Sequence, residues 1–387
     1  MTTPLKHAVG EPPLLAAAAL SAGSGRGAQP RGCDPGGKVR LAPSTMKPIG
    51  EVDDRYQSFN IEMLEVTGGN FWKPYAAAAA VSMGQDPTVQ REATAQGTAD
   101  STPAGMDPGL FEYRPPIDLA HPRLRLLAKA LAPAYVRISG TWANTTYFAD
   151  TDTPSKDPPA GFNSVLTRRQ WLGAITFSRD VDAPIVTSMP VGEGTRDADG
   201  VWQSDEARKW LAFTKANGGT IAAAEYFNEP TLATLGGAPK GYNAANFGRD
   251  FKIFETMMRR DMPGTKLLGP GSVGEADASW AIARGGYGDF KILAGEALAR
   301  YAGSADAFSY HHYGAVSQRC EQMGHQTSEE LALSEEWLAR TDATLAYYRR
   351  ARDQSMPGKR FWNTETGETA CGGKSVGGNV RRHVPLP

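Results

Sequence analysis

Residues Leu124–Phe148, LRLLAKALAPAYVRISGTWANTTYF, decide how the chain is to be read. An amphipathic helical stretch over Pro122–Leu131 runs into a short β-like segment, Ala134–Ile138 (AYVRI), and then into a Ser139-Gly140-Thr141 turn. Helix, strand and turn in that order are one unit of a parallel α/β sheet. The same alternation extends outward on both sides, from about Lys38 onward. Strands are predicted near Arg55–Met63, Ala134–Ile138, Pro184–Ser188, Thr220–Phe227, Lys266–Gly269, Ala307–His311 and Arg360–Thr364. Helix candidates between them are Pro122–Leu131, Thr167–Arg179 with Thr167 as N-cap, Ser204–Asn217, Ala244–Met262, Asp289–Ala302 and Ser328–Arg352. This pattern predicts an α/β fold of the (β/α)8 TIM-barrel type. The residues after Thr364, ETGETACGGKSVGGNVRRHVPLP, show neither a helical nor a strand period, so the expectation is a barrel lacking its last β/α unit. The Gly/Pro/Asp-rich stretches 84–116 and 150–165 read as long loops of the kind that shape a substrate cleft. No internal repeat is visible.

With 41 basic and 42 acidic side chains the net charge is −1, so no overall field attracts nucleic acid or an anionic membrane. Any charged ligand must be met by local residues. Eight Trp, 13 Tyr and 14 Phe suit a carbohydrate cleft, where aromatic faces carry pyranose rings, although core packing accounts for most of them. Cys33, Cys320 and Cys371 are far apart and odd in number, so neither a disulfide framework nor a CxxC metal site can be read; a Cys320–Cys371 bridge stays open. Residues 1–37 read as a disordered extension or a degenerate signal segment, 38–375 as the catalytic barrel and 376–387 as an irregular tail. Leu14–Leu20 (LLAAAAL) is too short to cross a bilayer. With Lys6 and His7 before it and Ser21, Ala22 and Gly23 after it, the run is similar to a signal peptide and implies a secreted or periplasmic protein; a plain extension implies a cytoplasmic one. No other stretch reads as a transmembrane helix.

Asn228-Glu229-Pro230 follows the fourth predicted strand. In isolation the tripeptide is explained by what helix starts prefer. Its placement says more, because barrel enzymes carry their catalytic groups at the C-terminal ends of the strands. Thr364-Glu365-Thr366-Gly367-Glu368 follows the seventh strand in the same way. Strands four and seven face each other across a barrel mouth, so the two carboxylates flank one bond. Glycoside hydrolysis needs that arrangement: one carboxyl protonates the leaving oxygen and the other, roughly 5–5.5 Å away in retaining enzymes, attacks the anomeric carbon. The acid has to keep its proton near neutrality, and the nucleophile needs donors that hold it ionised. Glu368, three residues beyond Glu365, is the rival nucleophile and reads better as a loop group.

Taken together, YQSFNIEM at Tyr56–Met63, the Leu124–Phe148 segment, YFNEP at Tyr226–Pro230, DAFSYHHYG at Asp306–Gly314 and WNTETGETACGG at Trp362–Gly373 resemble glycoside hydrolase family 79, the heparanase and β-glucuronidase family. The resemblance implies Glu229 as acid/base and Glu365 as nucleophile. It implies that Asn228 bonds the sugar 2-hydroxyl, that Glu62 and Thr141 contact sugar hydroxyls, and that His311 or Tyr313 donates to Glu365. Gly372 and Gly373 resemble a Gly-Gly stretch whose N–H groups receive a substrate carboxylate, although Cys371 stands where the family often has an aromatic residue. Arg137, Lys73 and Arg196 are the local cations that could favour an anionic substrate.

The family continues into a last barrel unit and a β-sandwich built from both chain ends. Here VRRHVPLP resembles no part of it and Val39–Pro43 resembles a remnant of the sandwich's first strand, so an incomplete barrel without a C-terminal β-sandwich is expected. The expected activity is retaining hydrolysis of β-glucuronides or glycosaminoglycan-like carbohydrate, with no metal or cofactor; His311 and His312 lack the HExxH spacing of a zinc helix. A carbohydrate-binding or inactive remnant and a hydrolase of neutral glycosides are the alternatives.

Overall fold

A computed structural model describes residues 42–48, 52–75, 101–103, 106–155, 157–274, 286–287, 290–291, 293–324 and 326–373. Seven parallel strands form its central sheet: β1 (Phe59–Glu62), β2 (Val136–Ser139), β3 (Ile185–Ser188), β4 (Ile221–Glu225), β5 (Lys266–Val273), β6 (Ala307–Val316) and β7 (Arg360–Ala370). Each strand pairs with the next in sequence, and each crossover carries a helix. The helices are α1 (Pro122–Lys129), α2 (Arg168–Asp180), α3 (Asp205–Ala216), α4 (Ala244–Asp261), α5 (Gly295–Tyr301) and α6 (Glu335–Ser355). The sheet curls into a nearly closed barrel of the TIM type. At its seam the side chain of Asn60 on β1 donates to the Thr364 carbonyl of β7 at 3.4 Å.

Local chemistry starts these helices where the sequence places them. Thr167 and Gln170 cap α2 reciprocally, the Gln170 N–H on the Thr167 hydroxyl and the Thr167 N–H on the Gln170 side chain. Asn243 accepts from the Ala245 and Asn246 N–H groups at the start of α4. Outward-facing strand residues such as Val136, Ile138, Ile185, Leu267 and Phe308 pack on the helices in one core with Trp171, Trp210 and Phe254. The strands are therefore covered on both faces, and β2 and β3 are buried at every position.

Inside the barrel the layers change character along the axis. At the N-terminal end Val186, Ala223, Leu268 and Ala307 form an apolar plug closed by Tyr135 and Trp362. One step up, the inward residues turn polar: Ser139 and Ser188 share a 2.7 Å hydroxyl contact, and Arg137 meets Glu225. Two irregularities at this level aim the site. Between β6 and β7 the pairing jumps from Tyr310–Asn363 to His311–Glu365, leaving Thr364 as an extra residue. In a regular strand Thr364 and Glu365 would face opposite sides; the bulge turns both inward. Between β5 and β6 the extra residue is Gly271, at φ +76°, where a Cβ would lie 3.1 Å from a Glu225 carboxylate oxygen.

Several expectations change. The residues after Thr364 do have strand structure, since β7 runs on to Ala370. Polar Thr and Glu there line an exposed strand face, which sequence reads as loop. Ser328–Arg352 is two helices, Glu329–Ala332 and α6, because the Ser334 hydroxyl accepts from the Trp337 N–H and starts a new one. Of the helix expected over Asp289–Ala302, the described residues show Gly295–Tyr301. The expected loops hold strand Phe111–Arg114, paired antiparallel with Gly69–Trp72, and the start of Ser164–Leu166. Met1–Glu51 is a separate unit whose described part contains one 3-10 turn, Pro43–Thr45. The 1–37 extension, Cys33, residues 39–41 and the 376–387 tail lie outside the described residues. Among the described residues no helix is long and apolar enough to cross a membrane.

Candidate active site

Glu62 and Glu225 end their strands, Asn228 and Glu229 follow β4, and Arg137, His311 and Glu365 stand within β2, β6 and β7. Arg137, on β2, occupies the barrel axis with a side chain only 5% exposed. A buried guanidinium needs acceptors, and this one has three: Glu365 Oε2 at 2.7 Å, Glu225 Oε2 at 2.9 Å and Asn228 Oδ1 at 2.7 Å. Glu225 is itself fully buried and also accepts from the Thr364 hydroxyl at 2.8 Å. Burial pushes the Glu225 carboxyl up, but Arg137 and His311 outweigh it and hold it below the ordinary range. Neither Arg137 nor Arg196 is available to an anionic ligand, contrary to expectation. Arg196 is 2% exposed and ion-paired with Asp250 at 2.7 Å. Lys73 is exposed.

The segment after β4 carries Asn228 and Glu229. Glu229 has φ 56° and ψ 57°, a left-handed conformation that costs a non-glycine residue of the order of 1 kcal/mol or more. Asn144, at the end of β2's following turn, clamps the residue before it. The Asn144 amide donates to the Asn228 carbonyl and accepts from the Asn228 N–H, each at 3.2 Å. On β6, His311 is buried, with Nδ1 2.9 Å from Glu229 Oε1 and 3.8 Å from Glu365 Oε2. Tyr313, two residues on and so on the same face, donates its hydroxyl to Glu365 Oε1. Of the two donors expected for Glu365, Tyr313 is the one that bonds it, and His311 serves Glu229.

The carboxylates differ in their surroundings. Burial would raise Glu365, but His311, Arg137 and the Tyr313 hydroxyl together hold it below the usual range. Glu62, at the end of β1, is pushed well up by burial and then by the charge of Glu365, with Arg137 offsetting only part. Its Oε2 is buried without a hydrogen-bond partner. Gly140 makes room for it, since a Cβ there would sit 1.7 Å from that oxygen. Burial lowers His311, yet Glu365 and Glu229 more than compensate, leaving it raised.

One oxygen each from Glu229 and Glu365 and one nitrogen of His311 lie within 4.8 Å of one another. Such a trio has the donor types of a cation site. Against that use, the Arg137 guanidinium already sits on the Glu365 oxygen and 3.3 Å from His311 Nε2. A cleft opens above the trio, and Glu62, Thr141, Glu229, Tyr313, Glu365 and Gly372 all line it. Pro103 and Met106, from the long loop expected to shape it, do so too. Asn228 and His311 sit behind this surface, 1% exposed each. Glu368 is exposed on β7 and is not among the lining residues.

Gly372 lies in the lining and Gly373 does not. Cys371, Gly372 and Gly373 are all left-handed, at φ 63°, 72° and 75°. Arg319, unremarked in the sequence, gathers their carbonyls on Nη1 at 3.2, 2.9 and 3.3 Å, while its guanidinium stacks 3.9 Å from the Tyr75 ring centre. The neighbouring Cys320 is disulfide-bonded to Cys371, which closes the question the sequence left open. Sequence reasoning also missed Glu225 and Asn144. An acid in the apolar strand Ile221–Glu225 and an arginine in AYVRI were the available signal, since buried charges require partners.

No family model and no curated protein matches this chain. Among solved structures it is similar to a family 51 α-L-arabinofuranosidase from Bifidobacterium longum, at 14% identity and TM-score 0.44 over 83% of this chain and 57% of that one. A family 44 xyloglucanase from Paenibacillus polymyxa matches at 12% identity and TM-score 0.40, over 61% and 63%. An endo-β-1,4-mannanase from Thermotoga petrophila matches at 14% and 0.40, over 63% and 56%. The chain spans less than two thirds of each of these proteins. Their names are those of glycoside hydrolases, and likeness at this level carries no argument about chemistry; the family 79 expectation stands on the sequence motifs alone.

Proposed function

We propose that this protein is a retaining glycoside hydrolase with Glu229 as general acid/base and Glu365 as nucleophile. The observation that carries the reading is the approach of the two carboxylates to within 4.8 Å across the barrel mouth, in two unlike environments. That spacing suits double displacement rather than the roughly 6.5–9.5 Å that admits a water between the groups. Glu365, ionised through His311, Arg137 and Tyr313, attacks the anomeric carbon. Glu229, oriented by His311 Nδ1, protonates the leaving oxygen. A glycosyl-enzyme ester forms, and Glu229, now a carboxylate, takes a proton from the water that hydrolyses it. Glu62 and Thr141, which line the cleft, take sugar hydroxyls; Asn228, implied by the sequence resemblance for the 2-hydroxyl, lies behind the wall with its Oδ1 on Arg137.

A β-glucuronide is the substrate implied by the sequence resemblance, its carboxylate at the Gly372–Gly373 turn. A hydrolase of neutral glycosides is the second reading. It is favoured by a lining that, among the described residues, has three glutamates and neither Lys nor Arg. The test is release of aryl alcohol from paired aryl β-glucuronide, β-glucoside and β-xyloside. Glu229→Gln and Glu365→Gln should each abolish turnover. A folded wild-type protein that binds sugar and never cleaves it would sink the hydrolase reading and leave a carbohydrate-binding protein.

A further inference from the structure

The cleft is chemically two-sided. Glu62, Thr141 and Glu365 offer oxygen atoms to a sugar. Among the described residues one stretch of the remaining wall is apolar. Leu232 and Leu235 come from the segment directly after Glu229, and Val273 ends β5, the strand beside β4. Met323, Met106 and Trp72 complete the wall and pack with those three in one apolar cluster. Because the first two belong to the acid/base's own segment, the wall flanks the group that protonates the departing alcohol. A second sugar lying along Leu232, Leu235 and Val273 would bring hydroxyls against side chains that cannot hydrogen-bond them, at roughly 1–3 kcal/mol for each left unpaired.

Resting on the hydrolase reading above, we infer that the leaving group is an apolar or aromatic alcohol rather than a further sugar residue. The class is an alkyl or aryl glycoside of one sugar.

The experiment uses methyl, butyl and octyl β-glycosides of whichever sugar is released fastest from its aryl glycoside. The acidity of the leaving alcohol changes little along this series, so differences in kcat/KM report contact with the wall. Burying one methylene is worth about fourfold, and kcat/KM should rise at least about tenfold from methyl to butyl, mostly through KM. Leu235→Asp should shrink the octyl-to-methyl ratio. A flat series in the wild type overturns the inference while leaving the hydrolase reading intact. So does an oligosaccharide of the same sugar cleaved better than the octyl glycoside. If no aryl glycoside is cleaved, both fall together.

Discussion

Replacing Tyr313 with Phe removes one oxygen and leaves the ring. That ring approaches Gly367, where a Cβ would stand 3.1 Å from Tyr313 Cε1, so the packing of β6 on β7 survives. What disappears is the hydroxyl donating to Glu365 Oε1. A hydrogen bond to a charged group is worth about 1.5–3 kcal/mol. With it gone, and only His311 and Arg137 left to offset burial, the Glu365 carboxyl should rise. The acid limb of kcat/KM, which in the proposed reaction reports ionisation of the free enzyme's nucleophile, should move to higher pH, with the alkaline limb in place. Stability supplies an internal check. A carboxylate with a depressed folded-state pKa contributes stability that is present above its unfolded pKa and lost as pH falls through the folded value. The variant's deficit in unfolding free energy should therefore be largest near pH 7 and shrink towards pH 3. The measurements are a pH–rate profile on an aryl glycoside and chemical denaturation at the two pH values. An acid limb that stays put in a folded Tyr313→Phe protein would show that Glu365 is not the group whose ionisation the reaction needs.

Gly140→Ala places a methyl on Glu62 and asks alanine to hold φ +97°, so it should cost more than about 2 kcal/mol of stability and most of the activity, read by thermal melting and turnover. Glu62→Gln should gain stability relative to wild type as pH rises from 4 to 8: a carboxyl with a raised folded-state pKa stabilises fully only below its unfolded value, and Gln has no charge to lose. Denaturation curves across that range decide it. Asp250→Ala leaves Arg196, 2% exposed, without its carboxylate and strips an acceptor from Tyr226 and Tyr242, so a loss of about 3–5 kcal/mol is expected in the same assay.

The barrel was legible because its strands are short apolar runs and its helices carry their own start signals; Thr167 caps α2 as read. That Glu229 and Glu365 come together was legible because each follows an apolar run read as a strand of one barrel. What could not be read depends on partners distant in sequence. Arg137 finds Glu225 88 residues away and Glu365 228 away; a lone charge in an apolar strand says that it needs a partner, not which one. The bulge at Thr364 is equally silent, although it is what turns Glu365 inward. Arg319 reads as one more surface cation until Cys371, Gly372 and Gly373 curl onto it.

The seam of the sheet has a mechanical consequence. Glu62 and Glu365 stand on its two outermost strands, and between those strands the described hydrogen bond is a single side-chain amide, Asn60 to Thr364 at 3.4 Å. In the proposed reaction, the width between the group that takes sugar hydroxyls and the attacking oxygen is thus set at this seam. Deuterium uptake at β1 and β7 should be faster than at β3 and β4, and a ligand bridging the two carboxyl groups should slow it by acting as the missing brace.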